Sequence, residues 1–579
     1  MPMFNGDPVA DIYVSAAGSD SNNGLSPATP KLTIAAAMTL AALYAIPVNL
    51  FLRSGDTFRG AANKLNAAIA GMTVDTYGGT VQPRIDGGID VIGNTFTSIG
   101  ANRFTTTYTS TTDRPLPTLL SYAGATRTLM SASQSAVSAP GTWFASVVVK
   151  TVTLTVYSTS NPAQQYSSII LDWQTCVHVT AARITINNVM ALNGYLGFSY
   201  LGAVNARGFG QYALKNSGDG FRWSTGAHAC LHWSPIAREN GIGPDEGPEG
   251  FRIGSGSTTS TDVWGGQLWN PVAINNGEDG ILGGITPGGA WRIFNATCTA
   301  NYENALDIKG GSFEFYGGVF DQRGTFSTLS PVTLHINAPN VSFYDMNIYG
   351  RDQAPTNAQH GIVLDEGSSA TIVRCEIWCW AGSGVLCQPG AGATTIISTS
   401  VWKQAVGSTI APIRFQNDAA HPATHVLRQV TSAGTTPGGV PLSMICLQAD
   451  GAGVSGSSIN CLWNNPTTVG TGRECLSATG SLLWTSTNDL FFKGETTALA
   501  RGAAKLSAAQ VAAGATSGPL TISGAIVGNP QLNDINTGNL TPSGSGPAKN
   551  TGTAAAGVFA DRENAAFGSS LDIGALKAA

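Results

Sequence analysis

The chain has 579 residues, of which only 11% are charged against roughly a quarter in ordinary globular chains, while glycine reaches 71 and hydrophobic residues 42%. Low charge with that much apolar content excludes intrinsic disorder. A net charge of -5, from 30 basic and 35 acidic residues, leaves no basic face broad enough to neutralise a nucleic-acid backbone.

The N-terminal stretch MPMFNGDPVADIYVS has no basic region followed by an apolar one, and no run of about 18 apolar residues occurs later. The expectation is a soluble chain with no membrane insertion and no secretion signal. Residues 10 to 95 read as strand, glycine-rich loop, helix and strands: DIYVS, AAGSDSNNGLSPATP, an Ala/Leu-rich run from Thr33 to Ala45 stopped by Pro47, and PVNLFLRSGDTF. A helix there suits the end of a stacked-strand solenoid, which otherwise exposes a bare apolar cross-section. The sequence divides into an N-terminal cap with first rungs (1–95), a body (96–480) and a closing segment (481–579).

From about residue 165 to 480 a weak repeat appears in short turn-to-strand signals. These are Asp219-Gly220-Phe221, Glu249-Gly250-Phe251, Asp279-Gly280-Ile281 and Asn304-Ala305-Leu306, continuing at His360-Gly361-Ile362 and Ser383-Gly384-Val385. The steps are 30, 30, 25 and 23, and the gap of 56 before His360 holds two steps if SPVTLHI at 330–336 is a rung. A period in the twenties with one strand signal per turn fits a parallel β-helix coil. Nine cysteines sit in apolar strand-like runs. In CEIWCW, Cys375, Ile377 and Cys379 share one strand face, which points to packed free thiols of a reducing compartment. A zinc set of Cys375, Cys379 and Cys387 is disfavoured because no close C-x-x-C pair accompanies them, and no metal ligands are assigned.

The segments YVSAAGSDSNNGLSPATPKLTIAAA, LRSGDTFRG and MTVDTYGGTVQPRIDGG resemble the N-terminal part of pectate-lyase-like right-handed parallel β-helix proteins. The tail, VGNPQLNDINTGNLTPSGSGPAKNTG followed by SSLDIGALKAA, is similar to the segment that often closes such domains. The resemblance implies an all-β, single-stranded right-handed parallel β-helix, a solenoid with an N-terminal helix cap. That superfamily includes polysaccharide lyases, glycoside hydrolases, phage tailspikes and non-catalytic members, so fold alone does not choose among them.

Stacked rungs set equivalent residues about 4.8 Å apart, so a sequence column becomes a ladder of side chains. The column before the glycines reads Asp219, Glu249, Asp279, Asn304, with Glu278 and Glu303 one position earlier. Two positions after the glycine it reads Arg222, Arg252, Leu282, Asp307, with Lys309 beyond. An acidic edge beside a basic stripe is what glycosidic hydrolysis requires, since it uses two carboxylates, about 5 Å apart for retention and roughly 6.5 to 9.5 Å for inversion. Acids before glycine are also ordinary turn formers, and both readings stand at this stage. The candidate catalytic residues are Glu249, Glu278, Asp279, Glu303, Asp307 and Lys309. The run ending Asp307-Ile-Lys309 also resembles one found in some β-helix lyases; on that likeness Lys309 is the base, and Asp279 and Asp307 ligate calcium.

Trp264, Trp269 and Trp291 lie in glycine-rich, loop-like sequence and are assigned, with Arg222 and Arg252, to substrate binding, because flat apolar faces stack on sugar rings. Trp223 falls on the inward side. His228 and His232 flank Cys230 in strand-like sequence without HExxH spacing, which argues against a metal site. GIGPDEGPEG adds Asp245 and Glu246 near the same region. No nucleophile elbow and no phosphate-cradling loop is present. The leading expectation is a tailspike-like depolymerase of a bacterial surface or extracellular polysaccharide, a homotrimer on a virion tail beside other phage tail proteins. A secreted calcium-dependent polysaccharide lyase and a non-catalytic adhesin or structural spike are the alternatives.

Overall fold

The computed structural model describes residues 9–44, 46–109, 119–122, 125–126, 131–148, 151–172, 174–241, 249–254, 263–285, 288–324, 332–352, 359–380, 382–404, 410–435, 445–449, 451–465, 474–480, 482–493, 498–529, 532–534 and 539–542. It is all-β with long parallel sheets, and it divides into two units, residues 1–289 and 290–579. Among the described residues no helix is long and apolar enough to cross a membrane. The SSLDIGALKAA segment lies outside the described residues.

In the first unit three parallel ladders each take one short strand per turn of chain. The first runs Ala10–Val14, Val48–Arg53, Thr73–Tyr77, Thr185–Asn187, Arg207–Phe209, Cys230–Trp233 and Gly266–Trp269. The second runs Thr57–Arg59, Arg84–Asp86, Met190–Leu192, Tyr212–Leu214, Ile236–Arg238 and Val272–Ile274. The third runs Leu65–Ala67, Val177–Val179, Phe198–Leu201, Phe221–Ser224, Phe251–Gly254 and Ile281–Gly284.

The corner between the first and second ladders is tight because a single residue there adopts the left-handed conformation. Asn188, Gly210, Ser234 and Asn270 fill it in successive turns, with φ of 51°, 57°, 51° and 51°. Glycine and asparagine tolerate that region with little steric cost. Inward side chains then stack like on like: the Phe198, Phe221 and Phe251 rings lie 4.8 and 5.0 Å apart. At another corner the buried Asn216, Asn240 and Asn276 pass hydrogen bonds from turn to turn, Nδ2 to Oδ1, at 2.9 and 3.1 Å.

An excursion interrupts this unit. Gly88–Asp90 and Ile170–Asp172 pair antiparallel as a stem, and between them Thr97–Gly100, Arg103–Thr109, Trp143–Val148 and Thr151–Tyr157 form an antiparallel sheet. It has its own core, including Val91, Trp143, Leu154 and Leu171. The helix is shorter than the sequence run suggests, Ile34–Ala41. Thr33 caps it by accepting the Ala36 N–H, and it buries Ile34, Ala37 and Ala41.

In the second unit the strands Ala290–Thr299, Ser312–Asp321 and Val341–Tyr349 pair in parallel along their length. Later turns break at one left-handed residue into two strands, as at Arg374 between Ala370–Val373 and Glu376–Cys379. A further parallel ladder runs Leu306–Gly310, Val332–Ile336, His360–Leu364, Val385–Cys387, Ile413–Phe415, Leu447–Ala449 and Leu476–Ser477. Val332–Ile336 is therefore the rung that the 56-residue gap required. All nine cysteines are free and buried.

Candidate functional site

The first unit brings together the acids predicted there. Phe221, Phe251 and Ile281 pair in register, so Asp219, Glu249 and Asp279, each two residues earlier, stand on neighbouring rungs about 4.8 Å apart. The glycine between acid and strand leaves no room for a side chain: a Cβ on Gly220 would sit 2.7 Å from the Gly250 carbonyl oxygen, and one on Gly250 2.7 Å from that of Gly280. All three acids are buried.

Arg222 and Arg252, paired directly across the same ladder, supply the countercharge. Arg222 Nε lies 2.5 Å from Asp219 Oδ2, and Arg252 Nη1 lies 3.6 Å from Glu249 Oε2. The two neighbouring acids are thereby driven apart. Burial alone would raise Asp219, but Arg222, a hydrogen bond from Glu249 and Arg252 together hold it below the ordinary carboxylate range. Burial, then the Asp219 charge, push Glu249 well above it. Neighbouring rungs thus shift two carboxyl groups in opposite directions, with Asp279 on the next rung. Glu278 is half-buried. Asp245 and Glu246 lie outside the described residues.

The aromatic assignments divide. Trp264 is 50% exposed, as a sugar-stacking residue needs to be. Trp269 is half-buried and in register with Trp233, whose ring stacks on Phe209 at 4.5 Å, so it extends an outward aromatic column. Trp291 is corrected: it is fully buried, inside the strand Ala290–Thr299 opposite Phe313, and cannot meet a substrate. The preceding glycines made it look like loop, but Trp291 and Ile293 alternate inward along one strand. Trp223 is buried as expected. The buried His232 is neutral and structural: its Nδ1 lies 2.9 Å from Gln211 Oε1, and Trp223 donates to its Nε2 at 3.3 Å.

The second unit holds the remaining candidates. Glu303 is half-buried, and Arg351 donates to its backbone carbonyl and that of Tyr302. Asp307 is buried, with Lys309 Nζ 2.9 Å from Oδ2 and His335 Nδ1 3.3 Å from Oδ1. His335 Nε2 in turn lies 2.6 Å from Asp365 Oδ2. The Asp307 and Asp365 carboxylates on either side raise the imidazole to about 10, favouring its charged form.

His335 and Asp365 are absent from the sequence assignment. The signal was there, because reading 330–336 as a rung sets His335 opposite Asp307. Both Asp307 oxygens face cations that the chain supplies, which does not fit the calcium ligand implied by the lyase likeness. Among the described residues no group of three or more His, Cys, Asp or Glu is arranged to hold a metal.

No family model matches the sequence, and no curated protein does. Among solved structures the chain is similar to a complex of XylC with xylose, at 11% identity and TM-score 0.43 over 98% of this chain and 99% of that one. It is also similar to a glycoside hydrolase, at 8% identity and TM-score 0.35 over 90% and 96%. A third is the gp54 tailspike of Acinetobacter baumannii bacteriophage AP22 in complex with A. baumannii capsular saccharide, at 9% identity and TM-score 0.35 over 81% and 76%. The functional reading rests on this chain's own residues.

Proposed function

We propose that each unit coils as a right-handed parallel β-helix of the pectate-lyase-like type, with helix Ile34–Ala41 capping the first rungs. On this reading the protein binds and depolymerises a bacterial surface or extracellular polysaccharide, on a phage tail as a homotrimer or in secreted form. The observation that carries it is the ladder of buried acids Asp219, Glu249 and Asp279 on successive rungs, with Glu249 pushed above and Asp219 held below the ordinary carboxylate range. Glu249, whose protonated form burial and Asp219 favour, is the proposed donor to a glycosidic oxygen, and Asp279 is the proposed second carboxyl group, one rung step of about 4.8 Å away and so near the separation of retaining hydrolysis. Asp219 is a positioning residue that holds Glu249 protonated. Arg222 and Arg252 flank the acids on the same ladder, whereas Trp269 stands on the first ladder and offers a separate stacking column outside it.

The test is to incubate the purified chain with neutral and uronate-containing bacterial polysaccharides, following polymer length together with ultraviolet absorbance of unsaturated products, with and without chelator. Shortening without new absorbance is expected, and Glu249→Gln should lower its rate about 10²- to 10⁴-fold. Chelator-sensitive absorbance would replace the carboxylate mechanism with the lyase. Saturable glycan binding without shortening would leave a binding spike, and a fully active Glu249→Gln would remove Glu249 from the chemistry.

A further inference from the structure

The buried thiols of the chain are not equivalent. Cys176, Cys230, Cys375, Cys379 and Cys461 donate to backbone carbonyls, as Cys176 does to that of Leu192 at 3.3 Å, and Cys387 meets Thr394 Oγ1 at 3.2 Å. Cys446 faces another cysteine. Leu447 pairs with Leu476 in the ladder, so Cys446 and Cys475, one residue earlier in each rung, stand opposite each other about 4.8 Å apart. The contact is direct: the Cys446 N–H donates to the Cys475 carbonyl at 2.8 Å, and the two thiols are hydrogen-bonded. Cys475 donates its own thiol proton to the Phe492 carbonyl at 3.2 Å, so its sulfur accepts the S–H of Cys446.

A disulfide spans roughly 4.4 to 6.8 Å between Cα atoms, and one rung step lies inside that range. The two cysteines are 29 positions apart, and Leu447–Ala449, Val454–Ile459 and Leu462–Asn465 run between them. A bond here would therefore close one full turn of the coil into a covalent ring. Each turn of a stacked-strand solenoid is held only by its neighbours, so such a fold opens from its ends. This turn is close to one of them, since only Leu476–Ser477 and Ala500–Arg501 follow it in parallel on the ladder.

We propose that Cys446 and Cys475 are a disulfide-forming pair that locks this turn when the chain meets an oxidising medium, the oxidant being a small disulfide of the glutathione class. The two thiols lose two protons and two electrons, the Sγ–Sγ bond forms, and one oxidised glutathione becomes two reduced ones. Burial, and then the hydrogen bond to Cys475, hold the Cys446 thiol well above the ordinary thiol range, so the closed turn offers almost no thiolate to begin the exchange. The bond forms while the turn is open, and once the turn closes both sulfurs are sealed from reductant. Neither thiol takes part in the carboxylate chemistry, so the lock stands apart from the polysaccharide reading.

The full chain is held in sub-denaturing urea with oxidised and reduced glutathione, or with dithiothreitol, then alkylated in denaturing urea without reductant and digested for mass spectrometry. Glutathione should give one peptide pair joined through Cys446 and Cys475, lacking two hydrogens, with the other cysteines alkylated; dithiothreitol should leave every cysteine alkylated. Full alkylation after glutathione overturns the pair, as do bonds through other cysteines in its place. Thermolysin should cut the oxidised chain between residues 446 and 475 more slowly than the reduced chain, by about tenfold or more. Cys446→Ser and Cys475→Ser should abolish that difference, and Cys387→Ser should retain it. If circular dichroism shows that a variant is unfolded, the joined peptide and the digestion of the wild type decide alone. Equal digestion of oxidised and reduced wild type would mean that the bond locks nothing, and would overturn the proposal.

Discussion

His335 is gripped from both sides, by Asp307 through Nδ1 and by Asp365 through Nε2. A neutral imidazole would turn a lone pair toward one of the two carboxylates, so this placement favours the imidazolium. Raising the group from 6.5 to about 10 spans roughly three and a half pH units, which at about 1.4 kcal/mol per unit sets a ceiling near 5 kcal/mol. The ring is 29% exposed, and solvent screening brings the expected contribution to about 2–3 kcal/mol. The folded pKa is raised, so this stability is fully present below about pH 6.5 and is lost as pH rises toward 10. Urea unfolding of the wild type and His335→Gln, measured at intervals from pH 6 to pH 10, checks it. The variant should be less stable by that amount at pH 6, and the difference should shrink steadily to near zero or reverse by pH 10. A difference that stays constant across the range would show that His335 contributes packing and not charge, and would refute the reasoning.

Asp489 is buried and accepts from Ser458 Oγ at 2.5 Å, Ser486 Oγ at 2.7 Å, Trp463 Nε1 at 3.1 Å and the Cys461 N–H at 2.7 Å. Burial outweighs these bonds and raises it to about 6, so the folded state holds its proton between about pH 4 and 6. Stability should fall across that window by up to about 3 kcal/mol, and Asp489→Asn should abolish that slope in denaturation midpoints. Asn240→Ala breaks the asparagine column on both sides and strands the Ala213 carbonyl that Asn240 Nδ2 serves. A loss of about 2–4 kcal/mol is expected by urea denaturation, and a loss under 1 kcal/mol would mean that neighbouring turns repack.

The acidic column was legible in the sequence because each rung announces itself with an acid, a glycine demanded by the carbonyl beneath, and an apolar strand. Position 332 carries no such glycine. The His335 cluster therefore depended on counting a rung that only its spacing betrayed, and Asp365, 58 residues from Asp307, depended on two. Trp291 was misplaced for a different reason, since glycines mark loops and strand entries equally, and only the pairing of Ala290–Thr299 separates them. The helix ended early because its composition favours helix beyond Ala41 while burial does not: Leu43 is 78% exposed. The antiparallel excursion was hidden because alternation along a strand does not reveal the direction of its partner.

That excursion leaves and re-enters the first unit at nearly one point. Gln174 donates its backbone N–H to the Gly87 carbonyl at 3.2 Å, and Leu65–Ala67 pairs directly with Val177–Val179 as though nothing intervened. The intervening chain has its own core and joins the rungs through the stem of Gly88–Asp90 and Ile170–Asp172, on which Leu119–Tyr122 also pairs, so changes within it are expected to leave the register of the rungs intact. A lineage of such proteins could therefore vary what this module presents to its surroundings while the stacked carboxylates beyond it stay fixed.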